Sequence, residues 1–115
     1  MLARKYRLTA EKDYARIFAK GRPFNGRGTG MKVIRNRLET PRVGFVVSTK
    51  VSKRAVERNQ VKRRMREIVR KRLPGIIGGI DIVFMARPES VKMSFVEIER
   101  SMVELITKAG VFKNV

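Results

Sequence analysis

The chain has 115 residues, with 28 Lys and Arg against 10 Asp and Glu, and a formal net charge of +18. Such an excess opposes folding through self-repulsion, so it indicates a polyanionic partner: nucleic acid first, with an anionic membrane or an acidic protein as alternatives. Cys and His are absent, which excludes disulfides, Cys metal sites and His-based catalysis. The length and the hydrophobic fraction of 43% predict a single domain over residues 1–115.

The sequence contains no sign of a membrane or secretory segment. No stretch is apolar over the roughly 20 residues that a membrane-spanning helix requires. The basic segment Met1–Arg7 is not followed by an apolar stretch, so it is not a secretory signal. We therefore expect a cytoplasmic protein without a membrane partner. The sequence also shows no internal repeat and no low-complexity linker.

The first half of the chain predicts one helix followed by strands. Thr9 is the expected N-cap of the helix and Gly21 its end, with three apolar residues at helical spacing between them: Tyr14, Ile17 and Phe18. The Gly-rich segment 23–30 predicts a loop or a bulged strand entry. Residues 31–34 predict a short strand, and the β-branched segment 42–48 predicts a buried one.

The second half alternates helix, strand and helix. Ser52 is an expected cap for a long helix over residues 54–73, which Pro74-Gly75 ends. Residues 80–86 form a second apolar strand. A capping box over residues 94–97 opens the last helix, and Gly110 closes it.

Taken together, the elements predict an α/β (α+β) fold with the order α-β-β-β-α-β-α. Two strongly apolar strands flank the long helix, which favours a parallel βαβ unit. We expect a two-layer sandwich in which helices pack on a small sheet.

The long helix holds the strongest signal. From Lys50 to Arg72 there are eleven basic residues and only two acidic ones, a net +9 and half of the total charge. A step of about 100° per residue sorts the helix into three stripes. The apolar stripe comprises Val61, Met65, Ile68 and Val69. The mixed stripe comprises Gln60, Arg64, Glu67 and Lys71, where Glu67 and Lys71 are expected to pair. The basic stripe comprises Arg58, Asn59, Lys62, Arg63, Arg66 and Arg70.

The composition of the basic stripe favours phosphate binding. A merely solvated face, the common reason for a run of charges, tolerates acids among its bases, as the mixed stripe does. A row of guanidiniums without acids suits phosphates, because each planar fork can donate two hydrogen bonds to one anion. Asn59 adds a donor and acceptor for a base edge or a 2′-hydroxyl. A membrane-bound helix is a poorer alternative, since the apolar stripe is needed for the core.

The segment Arg58–Glu67, RNQVKRRMRE, resembles the RNR signature of the bacterial ribonuclease P protein family. The resemblance extends over nearly the whole chain. It includes the opening Arg7-Leu8-Thr9, the segment Arg42-Val43-Gly44 leading to Ser48-Thr49-Lys50, and the strand ending Ala86-Arg87-Pro88. The chain departs from the family where Lys32 or a neighbour replaces a frequent aromatic on the first strand.

This resemblance implies a fold and two RNA-binding surfaces. The βαβ crossover would be left-handed, against the right-handed rule for such units. The residues of the basic stripe would bind the catalytic RNA. A cleft between the first helix and the sheet would hold the single-stranded 5′ leader of precursor tRNA, with Tyr14, Phe18, Lys32, Val47 and Lys50 as the expected contacts. From spacing alone, Tyr14 and Phe18 are better explained as core residues of an amphipathic helix, and only the resemblance favours a role in leader binding.

The resemblance also implies a subunit of a ribonucleoprotein endoribonuclease that removes the tRNA 5′ leader. The RNA would bind Mg²⁺ and perform hydrolysis. We expect no catalytic or metal-binding residue in the protein, because its carboxylates show no converging cluster, and no protein partner is implied. Composition alone leaves two other classes open: a ribosomal protein and a bacterial DNA-binding protein.

Overall fold

Four strands form one sheet in the computed structural model, which describes residues 2–113. They are β1 (Arg22–Asn25), β2 (Thr29–Arg35), β3 (Arg42–Val46) and β4 (Ile80–Ala86). The order across the sheet is β1-β2-β4-β3, antiparallel except for β3 and β4. The parallel pairing of β3 with β4 confirms the βαβ unit, whose left hand stays a prediction. The Gly-rich segment adds β1, joined to β2 by a turn in which Gly28 has φ +71°.

Three helices complete the fold: α1 (Glu11–Lys20), α2 (Ala55–Arg72) and α3 (Phe95–Ala109). This gives the predicted order, with short 3₁₀ turns between elements. Among the described residues, no helix combines the length and the apolarity that crossing a bilayer requires.

Gly21 ends α1 and both ends of α3 are as the sequence predicts, whereas the expected N-caps of α1 and α2 are not. The capping box of α3 is confirmed: the N–H of Glu97 donates to Ser94 Oγ over 3.1 Å, and Ser94 N–H donates to Glu97 over 2.9 Å. Gly110 ends α3 in the left-handed conformation. Thr9 was the wrong cap for α1, because Ala10 is still extended and takes that position without a side-chain bond.

The prediction that Ser52 caps α2 was also wrong. Arg54 is the N-cap, and the Ser52 hydroxyl instead accepts from Arg54 N–H over 3.1 Å and donates to Glu57 over 2.5 Å. Ser52 therefore stabilises the turn that leads into the helix rather than the first helical N–H groups.

The main core lies between one face of the sheet and helices α2 and α3. Ile82 and Phe84 of β4 are fully buried on this face, and Phe45 of β3 stacks against Phe84 with ring centroids 6.1 Å apart. Because side chains alternate along a strand, Asp81 and Val83 point to the opposite face. Helix α1 crosses that face, so the sheet is covered on both sides over part of its area.

A buried ionic network fixes α1 to the sheet. The Asp81 carboxylate has no exposed side-chain surface and accepts from Arg42 Nε over 2.9 Å, Arg42 Nη2 over 2.8 Å and Asn36 Nδ2 over 2.8 Å. Arg42 Nη1 lies 3.3 Å from a carboxylate oxygen of Asp13 on α1. The hydrogen bonds that Arg42 donates to Asp81 raise the pKa of the Arg42 guanidinium above its ordinary value. The network thus joins β3, β4 and α1.

We predict that Asp81→Ala lowers the free energy of unfolding by about 3 to 5 kcal/mol, because Arg42 would keep a largely buried charge without its main partner. Urea denaturation followed by circular dichroism measures this. Glu104→Ala is the matched control, since Glu104 is exposed on α3, and it should change stability by about 0.5 kcal/mol or less. Equal effects of the two substitutions would contradict a structural role for the network.

Candidate nucleic-acid interface

Helix α2 presents one face to the core and the opposite face to solvent. The apolar stripe is buried as predicted, with Val61 2% exposed and Met65, Ile68 and Val69 fully buried. It packs against β3, β4 and α3. Because these contacts fix the rotation of the helix about its axis, they also fix where the basic stripe points.

Most of the basic stripe is accessible and uncompensated. Asn59, Arg63 and Arg66 are exposed, and Arg58 and Lys62 are half-buried. Within residues 2–113, the charged groups of Lys62, Arg63 and Arg66 form neither a hydrogen bond nor an ion pair. Arg58 is held in place, since its Nη1 donates to the carbonyl of Ser52 over 2.9 Å. The stripe therefore offers a row of cations to an external anion.

Arg70, at the end of the stripe, is the exception. It forms a two-point ion pair with Glu67, with Nε–Oε2 and Nη2–Oε1 distances of 3.0 Å and 2.6 Å. The hydrogen bonds lower the pKa of Glu67 and raise that of Arg70. The expected pairing of Glu67 with Lys71 was wrong, because the acid reaches three residues along the helix rather than four. The stripe is thus free of acids at Arg66 but not at Arg70.

On the opposite face of the sheet, α1 places one aromatic ring at the surface. Phe18 is 39% exposed. The Lys32 ammonium lies 5.6 Å from the centre of this ring and donates to the Phe18 carbonyl over 2.7 Å. The Lys32 ammonium lies over the Phe18 ring, and the ring stays partly exposed, so the pair offers both a positive charge and an apolar surface.

Tyr14 has a mainly structural position. Its ring is half-buried, and its hydroxyl donates to the carbonyl of Leu8 over 2.9 Å. The hydroxyl also lies directly over Gly44, where the Cβ of any other residue would clash with it. Tyr14 therefore sets how closely α1 approaches β3, whereas Phe18 is the aromatic residue that is open to solvent.

The structure does not bring Val47 to this face. Val47 packs against the main core, as the alternation from Val43 and Phe45 already indicates. Its neighbour Val46 lies on the face beside α1 instead. Val46 pairs with Met85 and Met85 pairs with Gly30, so all three lie on the same face as Lys32, which is two residues from Gly30. Lys50 is exposed in the turn that follows β3.

Beside α1, this face of the sheet carries a continuous surface whose residues the sequence identified only in part. We call this the sheet-face cleft; its residues are Phe18, Lys32, Val46, Met85 and Arg87. A guanidinium nitrogen of Arg87 lies beside Gly30 and bonds Asn25, so this cation stands at the end of the cleft opposite Lys32. Strand alternation could have identified Val46 and Met85, but the position of Arg87 depends on the turn after β4.

Comparison with known proteins gives one consistent result. A family model described as Ribonuclease P matches residues 2–110. The chain is 43% identical to the ribonuclease P protein component of Dehalococcoides mccartyi over 91% of its own length and 85% of the relative's. It is 37% identical to that of Chloroflexus aurantiacus, over 94% and 80% of the two lengths. The fold is similar to the RNase P protein of Staphylococcus aureus, with a TM-score of 0.86, 30% identity, and 94% and 98% of the two chains covered.

We predict that the Tyr14 hydroxyl ionises only above its ordinary pKa of 10.0, because burial disfavours the phenolate. The folded chain holds this proton more tightly than the unfolded chain. At pH values below 10.0 the hydroxyl is protonated in both states and does not affect the free energy of unfolding. As the pH rises from 10.0 through the raised pKa of the folded chain, the free energy of unfolding falls.

The Tyr6→Phe variant tests this, since it leaves Tyr14 as the single phenol of the chain. Its phenolate absorbance in an alkaline titration should have a midpoint above 10.0 while the chain stays folded. A lower midpoint would show that the ring is more hydrated than its contacts indicate.

Proposed function

The chain belongs to the ribonuclease P protein family, the protein component of a tRNA-processing ribonucleoprotein endoribonuclease, and from this premise we propose that its basic stripe binds the catalytic RNA subunit and its sheet-face cleft the 5′ leader of precursor tRNA. The observation that carries the proposal is the row of uncompensated cations at Lys62, Arg63 and Arg66, since it needs an external polyanion. The family decides against a ribosomal or a DNA-binding protein.

The basic stripe supports RNA binding through its geometry as well as its charge. Arg63 and Arg66 stand one turn apart on a rigid helix, so their guanidiniums can each take a phosphate oxygen pair without first breaking an internal contact. Asn59, exposed beside them, supplies a donor and an acceptor suited to a 2′-hydroxyl or a base edge. Arg58, anchored to Ser52, contributes charge from a fixed position.

The sheet-face cleft supports a single-stranded ligand. Phe18 offers an exposed ring, and Lys32 and Arg87 provide a cation at each end. Unpaired nucleotides bind such surfaces by stacking and by phosphate contact. Because Lys32 lies over the ring of Phe18, phosphate contact has a larger share here than in a purely aromatic cleft. Lys50 extends the positive surface beyond β3, and Tyr14 supports the cleft by holding α1.

The chemistry belongs to the RNA subunit in this proposal. Within residues 2–113, no three acidic side chains approach one another as a site built wholly from protein ligands would require. Mg²⁺ would be held mainly by the RNA. The protein would contribute by holding the leader in register and by screening the repulsion between two RNAs. Its place of action would be the cytoplasm, together with these RNAs.

We predict that Arg66→Ala weakens binding to the RNA subunit and reduces the slope of log K against log salt by about 0.7 to 0.9, the loss of one phosphate contact. Arg72→Ala is the matched control on the same helix, because Arg72 is already paired with Glu99 over 3.1 Å, and its slope should stay near that of the parent.

The same titrations test whether the ion pair with Glu67 keeps Arg70 from binding RNA. Glu67→Gln removes its partner, so this variant should bind the RNA more tightly and show a steeper salt dependence than the parent. Filter binding of a transcribed ribonuclease P RNA across a range of salt concentrations measures all three variants. Identical slopes in the parent and in Arg66→Ala would overturn the assignment of the stripe.

We predict that Phe18→Ala weakens binding of precursor tRNA to the assembled ribonucleoprotein by about fivefold or more, because one base loses its stacking surface, worth about 1 to 3 kcal/mol. Binding of mature tRNA, which has no leader, should not change. Cleavage of a 5′-extended precursor at low Mg²⁺ should require both the protein and the RNA. An equal loss for precursor and mature tRNA would exclude the cleft as the leader site.

A further inference from the structure

A cavity of about 290 Å³ lies beyond the outer edge of β3 and shares no residue with the sheet-face cleft. Its floor is apolar and consists of Leu2, Leu8, Val43 and Phe45, each less than 10% exposed. The ring of Tyr14 forms one wall. The volume is close to the lower end of the usual range for ligand sites, about 300 to 1,000 Å³. Such a space suits one small planar group rather than a chain of them.

The cavity exists because the neighbouring strand stops early. Leu8 N–H donates to the carbonyl of Val43 over 3.0 Å, and Arg7 pairs with Val43 as an isolated parallel bridge. The chain then turns away into α1, so the edge of β3 beyond Val43 has no strand beside it. The Tyr14 hydroxyl bonds back to the Leu8 carbonyl and closes this end of the gap.

The charge of the cavity is one-sided. Its lining includes Arg7, Lys62 and Arg66 and no acidic residue. Lys62 and Arg66 are one turn apart on α2, and within residues 2–113 neither charged group has an internal partner. An apolar floor next to uncompensated cations requires a ligand that is apolar and planar at one end and anionic at the other.

We propose that this cavity receives a single unpaired nucleotide of the bound RNA subunit, with its base on the apolar floor beside the Tyr14 ring and its phosphate on Lys62 and Arg66. This inference rests on the proposed function and deepens it, because it makes the basic stripe the rim of a pocket for one flipped-out base. Stacking on Tyr14 is open to any base, whereas the size of the cavity admits only one.

An acidic peptide that adds a strand to β3 is the competing occupant. The structure favours it less, because Leu8 already bonds the carbonyl of Val43 and the Tyr14 hydroxyl lies over Gly44, which leaves little of this edge free for a strand to pair with. A nucleotide needs no backbone partner along this edge, and it uses the apolar floor that an acidic peptide would leave unfilled.

The first experiment uses the Tyr6→Phe chain labelled with 3-fluorotyrosine, in which Tyr14 carries the single fluorine. Titration with adenosine 5′-monophosphate should shift its ¹⁹F resonance saturably, and inorganic phosphate should shift it much less. The shift should disappear in Arg66→Ala and in Thr9→Trp, where an exposed residue of the lining is enlarged to block the cavity. It should persist in Arg63→Ala, since Arg63 is an unpaired cation of the same helix outside the cavity.

The second experiment measures affinity for a transcribed ribonuclease P RNA. Thr9→Trp should weaken binding roughly tenfold, as expected for one lost stacked base. Thr107→Trp makes the same change at an exposed position of α3 and should leave the affinity unchanged. Arg63→Ala should weaken RNA binding without altering the mononucleotide titration, so failure of the basic stripe as an RNA site and failure of the pocket give different results.

Three outcomes would overturn the proposal. The first is no ¹⁹F shift with the mononucleotide. The second is an equal shift with inorganic phosphate, which would indicate an anion site only. The third is a shift with a polyglutamate peptide alone, which would make the β3 edge a peptide-docking surface.

Discussion

The ion pair between Arg42 and Asp81 is the contact on which both surfaces of this protein depend. It joins β3 to β4, the two strands that flank α2, and its second arm reaches Asp13 on α1. Its cost in desolvation is offset because Asp81 accepts three hydrogen bonds and its attraction to Arg42 acts in a region of low dielectric. The pair thus holds the scaffold for the helix that carries the basic stripe and holds the helix that borders the cleft.

The elements of the fold were largely predictable because local signals were strong. The β-branched runs of β3 and β4 and the capping box at Ser94 each have one physical reading, and the structure confirms them. Strand β1 was ambiguous because its residues are mostly exposed, so no alternation of apolar residues marks it. The cap of α1 depended on a contact distant in sequence: Leu8 N–H donates to the carbonyl of Val43, which keeps the following residues extended and delays the start of the helix.

The sequence predicted which face of α2 points outward, but not which side chains on that face form ion pairs. The apolar residues of α2 fix the outward face, so the accessible positions of Asn59, Arg63 and Arg66 follow from the sequence. Periodicity cannot choose between partners three and four residues apart, and Glu67 took Arg70 rather than Lys71. The sheet-face cleft is assembled from α1, three strands and a turn, and the residues that it contains depend on the register of the strands, which the sequence did not specify.

Helix α2 both packs on the core and presents the basic stripe, and each role depends on where residues lie around the helix axis. This restricts how its sequence can change. Its buried residues and its cations alternate along the same helical turns, so inserting or deleting a single residue between Val61 and Val69 would rotate all later positions, buried and cationic alike, by about 100° relative to the earlier ones. No side-chain exchange elsewhere could restore both faces. Changes of length should accumulate instead in the turn between β2 and β3, whereas α2 should vary across its lineage by substitution at constant length.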